Sequence, residues 1–300
     1  MKIIDGSKVV HSFKPDMVSI ESVNSDETFK VVTHDCFYGQ IKSESQTLES
    51  VDYSKLNPAT GPIDIEGAQP GDILKIRIVE IDPTSNGVSL TMPNQGALGY
   101  RAKRPLTKTL NIENGYCHFN DLKIPVKPMI GVIGVATSAA DGEINTATPW
   151  KHGGNMDTKY ICEGSILYLL VNQPNAQLAL GDCHAIMGDG EICFTGCEIA
   201  AEVTLEVEIL KDKNITWPVV ETNDYTMVIA SGETIDDAIA SAADKGIEYL
   251  MNGLNISWEE AYILASLNME IGVSQVVNPK KTVRAAISKS LLSTDKLLVM

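Results

Sequence analysis

The amino-acid sequence predicts a mostly β body, built like a sandwich or a barrel, with a smaller α/β unit at its C-terminal end. Alternating or uniformly apolar segments, separated by Gly, Pro, Asn and Asp, follow one another to about residue 230, and no long helical period interrupts them. Helix-type spacing of apolar residues begins at Thr234. We therefore expect a β-rich body over residues 1–221 that carries the functional site. A small α/β unit over residues 222–300 is expected to pack against it.

The strands of the body are predicted from period-two patterns. In 203–209 every second residue is apolar and the residues between are polar, as in a strand with one buried face. Segment 73–81 alternates almost as regularly and follows Gln69-Pro70-Gly71-Asp72, which has the composition of a turn. Shorter apolar runs predict further strands at 28–33, 123–126, 130–136, 165–171 and 226–230.

Two capping patterns predict the helices of the C-terminal unit. Thr234 and Asp237 open a stretch with apolar residues at helical spacing. Ser257 and Glu260 form a capping box, in which the hydroxyl and the carboxylate each satisfy a free backbone amide. That helix is expected to end near residue 267. Strand-like segments follow at 269–277 and 283–287.

The charge and the cysteine pattern exclude several classes of partner and location. The 300 residues include 39 acidic and 24 basic side chains, a net charge of −15 at pH 7. Such a field repels nucleic-acid phosphates and an anionic membrane surface, and it suits a neutral or cationic small molecule or a metal ion. Six cysteines without a Cys-x-x-Cys pair, and an N-terminus without the apolar core of a signal peptide, predict a cytoplasmic protein with reduced thiols.

The densest group of ionisable residues lies in 181–191. Asp182 and His184 are two residues apart, so in a strand they project from one face, which suits two ligands of one metal ion. Glycines on both sides of Asp189 indicate a tight turn, and Glu191 follows it. The alternative is a hairpin whose acids only face water. Three glycines and four ionisable residues in eleven positions favour a functional site.

Three further polar positions are candidates on their residue types. Segment 151–157 has paired glycines that allow close approach of a ligand, and its Asn155 and Asp157 suit a metal or a polar substrate. The alternative is a loop whose Asn and Asp hydrogen-bond their own backbone. Asp35 follows a predicted strand and Glu66 precedes a turn, where an acid serves as a ligand, a general base or a turn former.

Several familiar catalytic patterns are missing from the sequence. It contains no Gly-x-Ser-x-Gly, no His-Glu-x-x-His, no phosphate-binding loop and no Gly-x-Gly-x-x-Gly. Cys183 and His184 are neighbours, but on a strand they point to opposite faces and do not form a nucleophile–base pair. His11, His118 and His152 lack an ionisable partner at motif spacing and are interpreted as structural.

Several sequence blocks, in the same order, resemble the acetamidase/formamidase family. They are Asp35-Cys-Phe-Tyr-Gly-Gln40, Asn57-Pro-Ala-Thr-Gly-Pro-Ile-Asp-Ile-Glu-Gly-Ala-Gln-Pro-Gly-Asp72, Gly131-Val-Ile-Gly-Val-Ala-Thr137, Gly153-Gly-Asn-Met-Asp157, Gly181-Asp-Cys-His-Ala-Ile-Met-Gly-Asp-Gly-Glu191 and Cys197-Glu198. The resemblance covers nearly the whole chain, which is similar to the shorter members. It implies a β-rich fold with a smaller α/β portion, and hydrolysis of short aliphatic amides to a carboxylate and ammonia.

The resemblance promotes the scattered polar residues to one candidate pocket. With no serine or cysteine nucleophile in view, we expect water activated by a divalent metal, zinc first and calcium as an alternative. Asp35, Asp182 and His184 are the expected ligands. The expected acid–base residues are Glu66, Asp189 and Glu191, and the expected substrate contacts are Asn155 and Asp157.

Two other functions remain open at the level of sequence. A pair of carboxylates could hydrolyse the amide without metal, or the chain could bind a metal or small ligand without turnover. The expected partners are a small neutral amide and a second copy of the chain in a homodimer, with no nucleic acid and no membrane.

Overall fold

A computed structural model describes residues 1–211 and 213–298. Most of its regular structure is β, in two large sheets, and its two long helices lie near the C-terminal end. The strands are β1 (Lys2–Ile4), β2 (Val9–Val10), β3 (Ser12–Phe13), β4 (Glu21–Asn24), β5 (Thr28–Val32), β6 (Ala59–Glu66), β7 (Ile73–Pro83), β8 (Asn86–Thr91), β9 (Leu106–Glu113), β10 (Tyr116–Phe119), β11 (Leu122–Pro125), β12 (Met129–Gly134), β13 (Ile144–Asn145), β14 (Gly153–Asn155), β15 (Ile166–Leu170), β16 (Leu178–His184), β17 (Glu198–Ile199), β18 (Ala201–Leu210), β19 (Val219–Glu221), β20 (Tyr225–Gly232), β21 (Glu270–Gln275) and β22 (Lys281–Ser288). The helices are α1 (Ile235–Leu254), α2 (Trp258–Asn268) and α3 (Thr294–Leu297), with single 3₁₀ turns at Leu48–Ser50, Tyr53–Lys55 and Gly99–Arg101. The predicted fold class is confirmed.

The first sheet has nine strands in the order β1-β5-β18-β7-β15-β19-β20-β22-β21. The two segments with the most regular alternation, 73–81 and 203–209, lie in neighbouring strands, because β7 and β18 pair antiparallel from Ala201↔Pro83 to Leu210↔Ile73. The predicted alternation holds in part: Val203, Leu205 and Val207 are fully buried, but Thr204 is buried as well and Ile209 is only half-buried. Burial of such aliphatic side chains contributes about 1.5–3 kcal/mol each.

The second sheet has eleven strands and positions the polar cluster. Its main path is β11-β10-β9-β8-β17-β16-β12-β14, and β6 joins it through β16, bringing β2 and β4. Strand β16 is central, because it pairs with β12, β6 and β17. All seven residues of β16 are buried, so the ionisable residues on it are enclosed by protein.

Both predicted capping boxes are present. The Thr234 hydroxyl accepts from the Asp237 amide while the Asp237 carboxylate accepts from the Thr234 amide, and Ser257 and Glu260 do the same. Helix α1 packs on β20 and β22. These two strands follow residue 222 in the chain, but they belong to the same nine-stranded sheet as strands that precede it. The division of the chain at residue 222 stays a prediction. In the described parts of the chain, no helix combines the length and apolar character needed to cross a bilayer.

Candidate active site

Neighbouring strands β16 and β17 place three ionisable side chains together. Asp182 and His184 lie on β16, and their Oδ1 and Nε2 atoms are 3.5 Å apart. Glu198 on β17 is the cross-strand partner of His184, and its Oε2 lies 3.1 Å from the same Nε2. Each of these three residues is at most 3% exposed. The spacing of two residues therefore does place Asp182 and His184 together, and Glu198 joins them from the next strand.

Two more acids complete the cluster from loops. Asp157 follows β14, and its Oδ1 lies 3.8 Å from Nε2 of His184. Glu191 follows the glycine turn, and one carboxylate oxygen of it lies within 4.8 Å of ligand atoms of Asp157 and His184. A second group within the same limit consists of the Cys36 thiol, Asp182 and Glu198. The cluster thus contains four carboxylates, one imidazole and one thiol.

Three of the acids have an unusual backbone conformation. Asp157, Asp182 and Glu191 have positive φ values of 41°, 52° and 46°. Residues with a side chain beyond Cα rarely adopt this region, which costs of order 1–3 kcal/mol, and such strain concentrates at functional sites. The three unusual conformations therefore coincide with three of the four clustered acids.

Two glycines make room for the side chains. A Cβ on Gly131 of β12 would overlap Oδ1 of Asp157 and lie 2.7 Å from the carbonyl oxygen of Asp182. A Cβ on Gly196 would lie 2.7 Å from Nδ1 of His184. The site can form only where these positions lack a side chain.

Amide side chains hold the carboxylates in place. With its amide nitrogen turned toward the acids, Asn155 donates to Oδ2 of Asp157 and to Oδ2 of Asp182, both at 3.0 Å. Asn278 donates to Oδ2 of Asp157 at 2.6 Å and to the backbone oxygen of Asn155 at 2.9 Å. Gln275 accepts from the backbone amide of Asn278 at 2.9 Å and so fixes the turn that carries it. The C-terminal segment therefore contributes directly to the site.

Burial and mutual repulsion raise the pKa values of three of the clustered acids. Burial, with the charge of Asp182, raises the pKa of Glu198 to about 7 and that of Asp157 to about 6. Burial and the charge of Asp157 raise the pKa of Glu191 well above its ordinary value. Burial by itself lowers the pKa of His184, but the carboxylates of Glu198 and Asp182 outweigh it and hold this pKa well above the usual range.

The donor set fits a divalent metal ion. Both ring nitrogens of His184 and Oε2 of Glu198 are buried, and within the described residues none has a hydrogen-bond partner of proper alignment. Such atoms are costly unless something binds them. Zinc takes imidazole nitrogen, carboxylate oxygen and thiolate sulfur, and all three donor types are present.

A cavity of about 310 Å³ opens onto the cluster. Asp157, Asp182, Glu191 and Glu198 form part of its lining. The remainder combines apolar side chains, most of them from the segment 36–56 and from Phe194, with polar side chains that include His11 and four asparagines. A small molecule in this cavity would therefore contact the acids directly.

The structure does not bring Glu66 and Asp35 into the cluster. Glu66 is exposed at the end of β6, where it accepts from the Ser22 hydroxyl at 2.8 Å. Asp35 is half-buried, and its Oδ1 accepts from the backbone amides of Phe37 and Gly39, so it stabilises a turn. Burial raises the pKa of Asp35, but neither group of potential ligands includes it.

Asp189 also lies outside the cluster. Its two oxygens accept from the two terminal nitrogens of Arg284 at 2.9 and 2.6 Å, and Lys159 lies 2.8 Å away. This bidentate pair ties the glycine turn to β22. The geometry is that of a structural contact that positions Glu191 two residues later.

Sequence reasoning missed three members of the site. Glu198 and Cys36 stand in blocks of the family resemblance but receive no role from the sequence, and Asn278 lies in no such block. His11, interpreted as structural, lines the cavity. Cys183 does point away from the site, toward the hydroxyl of Thr33.

The chain is similar to a known family along most of its length. The model of the Acetamidase/Formamidase family matches residues 3–140 and 137–291. A crystal structure of an acetamidase from Bacillus halodurans is 41% identical, covers 98% of this chain and 99% of its own, and superposes with a TM-score of 0.95. A predicted acetamidase/formamidase from Thermoanaerobacter tengcongensis is also 41% identical, over 98% of this chain and 97% of its own, with a TM-score of 0.94.

A curated relative from Schizosaccharomyces pombe is longer. This putative formamidase is 26% identical over 66% of this chain, and the match spans 63% of that protein's length. The chain thus corresponds to less than two thirds of that relative.

Proposed function

Because the chain belongs to the acetamidase/formamidase family, we propose that it hydrolyses the C–N bond of a primary amide at the buried cluster of four acids and His184. The expected family and the hydrolase class that it implies agree with the comparisons. The observation that supports this site is the group of buried, unpartnered donor atoms around Nε2 of His184, which faces a cavity large enough for a small molecule.

Amide hydrolysis requires three contributions. Water must lose a proton as it attacks, the carbonyl oxygen must be stabilised as it gains charge, and the leaving nitrogen must gain a proton. The cluster offers residues in different protonation states for these tasks.

Glu191 and Asp157 suit the two proton transfers. Burial and the charge of Asp157 raise the pKa of Glu191 and so favour its protonated form, and we assign it the donation of a proton to the leaving nitrogen. Asp157, with a pKa of about 6, is ionised at pH 7 and accepts a proton from the attacking water. The proton taken by Asp157 balances the one given by Glu191 over the cycle. Asn155 and Asn278 orient the Asp157 carboxylate for this step.

His184, Asp182 and Glu198 are the proposed holders of a divalent ion. Oε2 of Glu198 and Oδ1 of Asp182 lie 3.1 and 3.5 Å from Nε2 of His184. The Cys36 thiol lies within 4.8 Å of ligand atoms of Asp182 and Glu198. An ion there supplies positive charge that polarises a carbonyl oxygen and makes water more acidic. The imidazole and the thiol favour zinc over calcium, which prefers oxygen ligands.

The test is ammonia release from primary amides, measured with purified protein before chelation, after chelation and after return of zinc or calcium. We expect activity to fall on chelation and to return with zinc. Activity that survives complete removal of metal, verified by elemental analysis, would contradict the metal assignment and favour the carboxylate-only hydrolase.

Variants separate the site from the rest of the fold. Glu198→Gln keeps the shape of the side chain, and we expect it to lower both zinc content and kcat/KM by at least about 100-fold. His118→Ala on β10, outside the cavity lining, is the matched control for His184→Ala. A His184→Ala protein that keeps wild-type metal and turnover would refute the site.

The proposed partner is a second copy of the chain. Helix α2 and the start of β21 expose five large apolar side chains, each 42–78% accessible, which are Trp258, Tyr262, Ile263, Leu267 and Ile271. Exposed large apolar side chains concentrated on one short segment are typical of an interface. The neighbouring β21 is the last strand of its sheet, and Gly190 pairs with its end at Gln275, so the remainder of its outer edge is where a strand of the second copy would pair. The cytoplasmic location stays a prediction.

A further inference from the structure

The cavity is larger than formamide or acetamide requires. Its volume is about 310 Å³. At the roughly 30 Å³ that one water takes in the liquid, this is space for roughly ten non-hydrogen atoms. Acetamide at the same packing fills less than half of it. Water fills the space that a small ligand leaves, and displacing this water from apolar side chains favours a larger apolar molecule.

One part of the cavity lining is apolar. Phe37, Leu48, Leu56 and Phe194 line the cavity, and all four belong to one hydrophobic cluster. Phe37 and Leu48 are at most 5% exposed, so this wall is part of the protein interior. The four side chains therefore form one wall of the cavity.

Cys36 marks where the wall meets the acids. It belongs to the same hydrophobic cluster, and its thiol lies within 4.8 Å of ligand atoms of Asp182 and Glu198. Burial and the charge of Glu198 raise the pKa of this thiol well above its ordinary value. A ligand whose reacting group lies at the acids would therefore extend past Cys36 along the apolar wall.

The charge of the lining restricts what that extension can be. Four acids line the cavity, while none of the described lysines and arginines does. A second carboxylate on the substrate would be repelled and would find no cation to pair with. The acids therefore exclude a negatively charged extension, and the apolar side chains that it would lie against favour an uncharged one.

Resting on the proposed amide hydrolysis, we propose that the substrates of this site are primary amides with an uncharged apolar acyl group of about five to seven carbons, seated along Phe37, Leu48, Leu56 and Phe194. Roughly ten atoms fit the cavity, and the amide nitrogen, its oxygen and one water use the rest of that space.

The test is the kcat/KM series from formamide through acetamide and butyramide to hexanamide, with benzamide as a ring and succinamic acid as a charged analogue. We expect kcat/KM to rise roughly fourfold for each buried methylene up to hexanamide. We expect succinamic acid to be at least about tenfold worse than butyramide. A maximum at formamide or acetamide, with a fall toward hexanamide, would overturn the inference.

A filling variant ties the preference to the apolar wall. Leu56→Trp adds volume to the wall, and we expect the ratio of hexanamide to acetamide kcat/KM to fall at least about tenfold. Leu98→Trp makes the same substitution at a side chain that is 55% exposed and outside the cavity, and it should leave the ratio unchanged. Equal ratios in both variants would refute the seating on this wall.

The failure of amide hydrolysis and the failure of this inference give different results. If no amide releases ammonia, the proposed function is wrong. The inference then stands or falls on binding, measured as the rise in Tm with hexanamide against the rise with acetamide at equal concentration. A larger rise with acetamide would overturn it.

Discussion

Gly131 offers the sharpest test of the cluster geometry, because one methyl group added there acts on two acids at once. In Gly131→Ala the new Cβ overlaps Oδ1 of Asp157 and lies 2.7 Å from the carbonyl oxygen of Asp182. Ordinary van der Waals contact begins at 3.4 Å. The carbonyl must therefore retreat by about 0.7 Å, and the Asp157 carboxylate must turn by more.

The retreat is resisted by the sheet. Residues on both sides of Asp182 pair with β12, through Ile130↔Cys183 and Val132↔Gly181. Overpacking of this kind costs about 1–3 kcal/mol, which lowers Tm by roughly 2–5 °C for a chain of this size. Displacement of a catalytic carboxylate by close to 1 Å lowers kcat by roughly 100-fold.

The assay compares Gly131→Ala with Gly188→Ala by thermal unfolding, metal content and amide turnover. A Cβ on Gly188 meets nothing within 4 Å, so this control should keep wild-type stability and activity. We expect Gly131→Ala to fold, to unfold a few degrees lower and to lose most of its turnover. A folded Gly131→Ala protein with wild-type kcat/KM would refute the reasoning that these two acids need their observed positions.

Three further predictions concern the hydrogen bonds of the Asn278 side chain, the pH dependence of stability and the proposed dimer interface. Asn278→Ala removes two hydrogen bonds to the site, so kcat/KM should fall by about tenfold or more and the free energy of unfolding by about 1–3 kcal/mol; wild-type turnover would contradict its role. In metal-free protein the pKa values of Asp157 and Glu198 are raised from 3.8 to about 6 and from 4.5 to about 7. The folded state thus holds protons that the unfolded state has released, and Tm should fall as the pH rises from 4 to 7; a Tm that increases over this window would show the opposite sign. Leu267→Asp places a charge on the exposed patch of α2 and should convert a dimer to a monomer in light scattering, and an unchanged mass would exclude this face.

Much of the fold could be predicted because the patterns that specify it are local. The strict alternation of 203–209 fixes which face is buried, and the boxes at Thr234 and Ser257 fix where the helices begin. Strand β16 was harder to place by period, since all its residues are buried and its two charged residues break the apolar run. For this segment the prediction of a functional site depends on the glycines around Asp189 and on the family resemblance.

The candidate site could be predicted only in part, because its members meet through sheet pairing. Asp182 and His184 are close in sequence and were recognised together. Glu198 reaches His184 only through the β16–β17 pairing, and Asn278 reaches Asp157 from a distant segment. Glu66 and Asp189 have the residue type of catalytic acids. In the structure, however, Glu66 is exposed and Asp189 forms an ion pair with Arg284, and no sequence pattern distinguishes such acids from those of the cluster.

The continuous nine-stranded sheet links the unfolding of the C-terminal strands to that of the body. Strand β20 has β19 on one side and β22 on the other, so removing the C-terminal segment would strip a full row of backbone partners from the rest of the sheet. Unpaired backbone groups are costly when buried and adhesive when exposed. Calorimetry should therefore record a single cooperative transition. Mechanical or proteolytic loss of the last strands would expose an aggregating edge rather than leave a smaller folded enzyme.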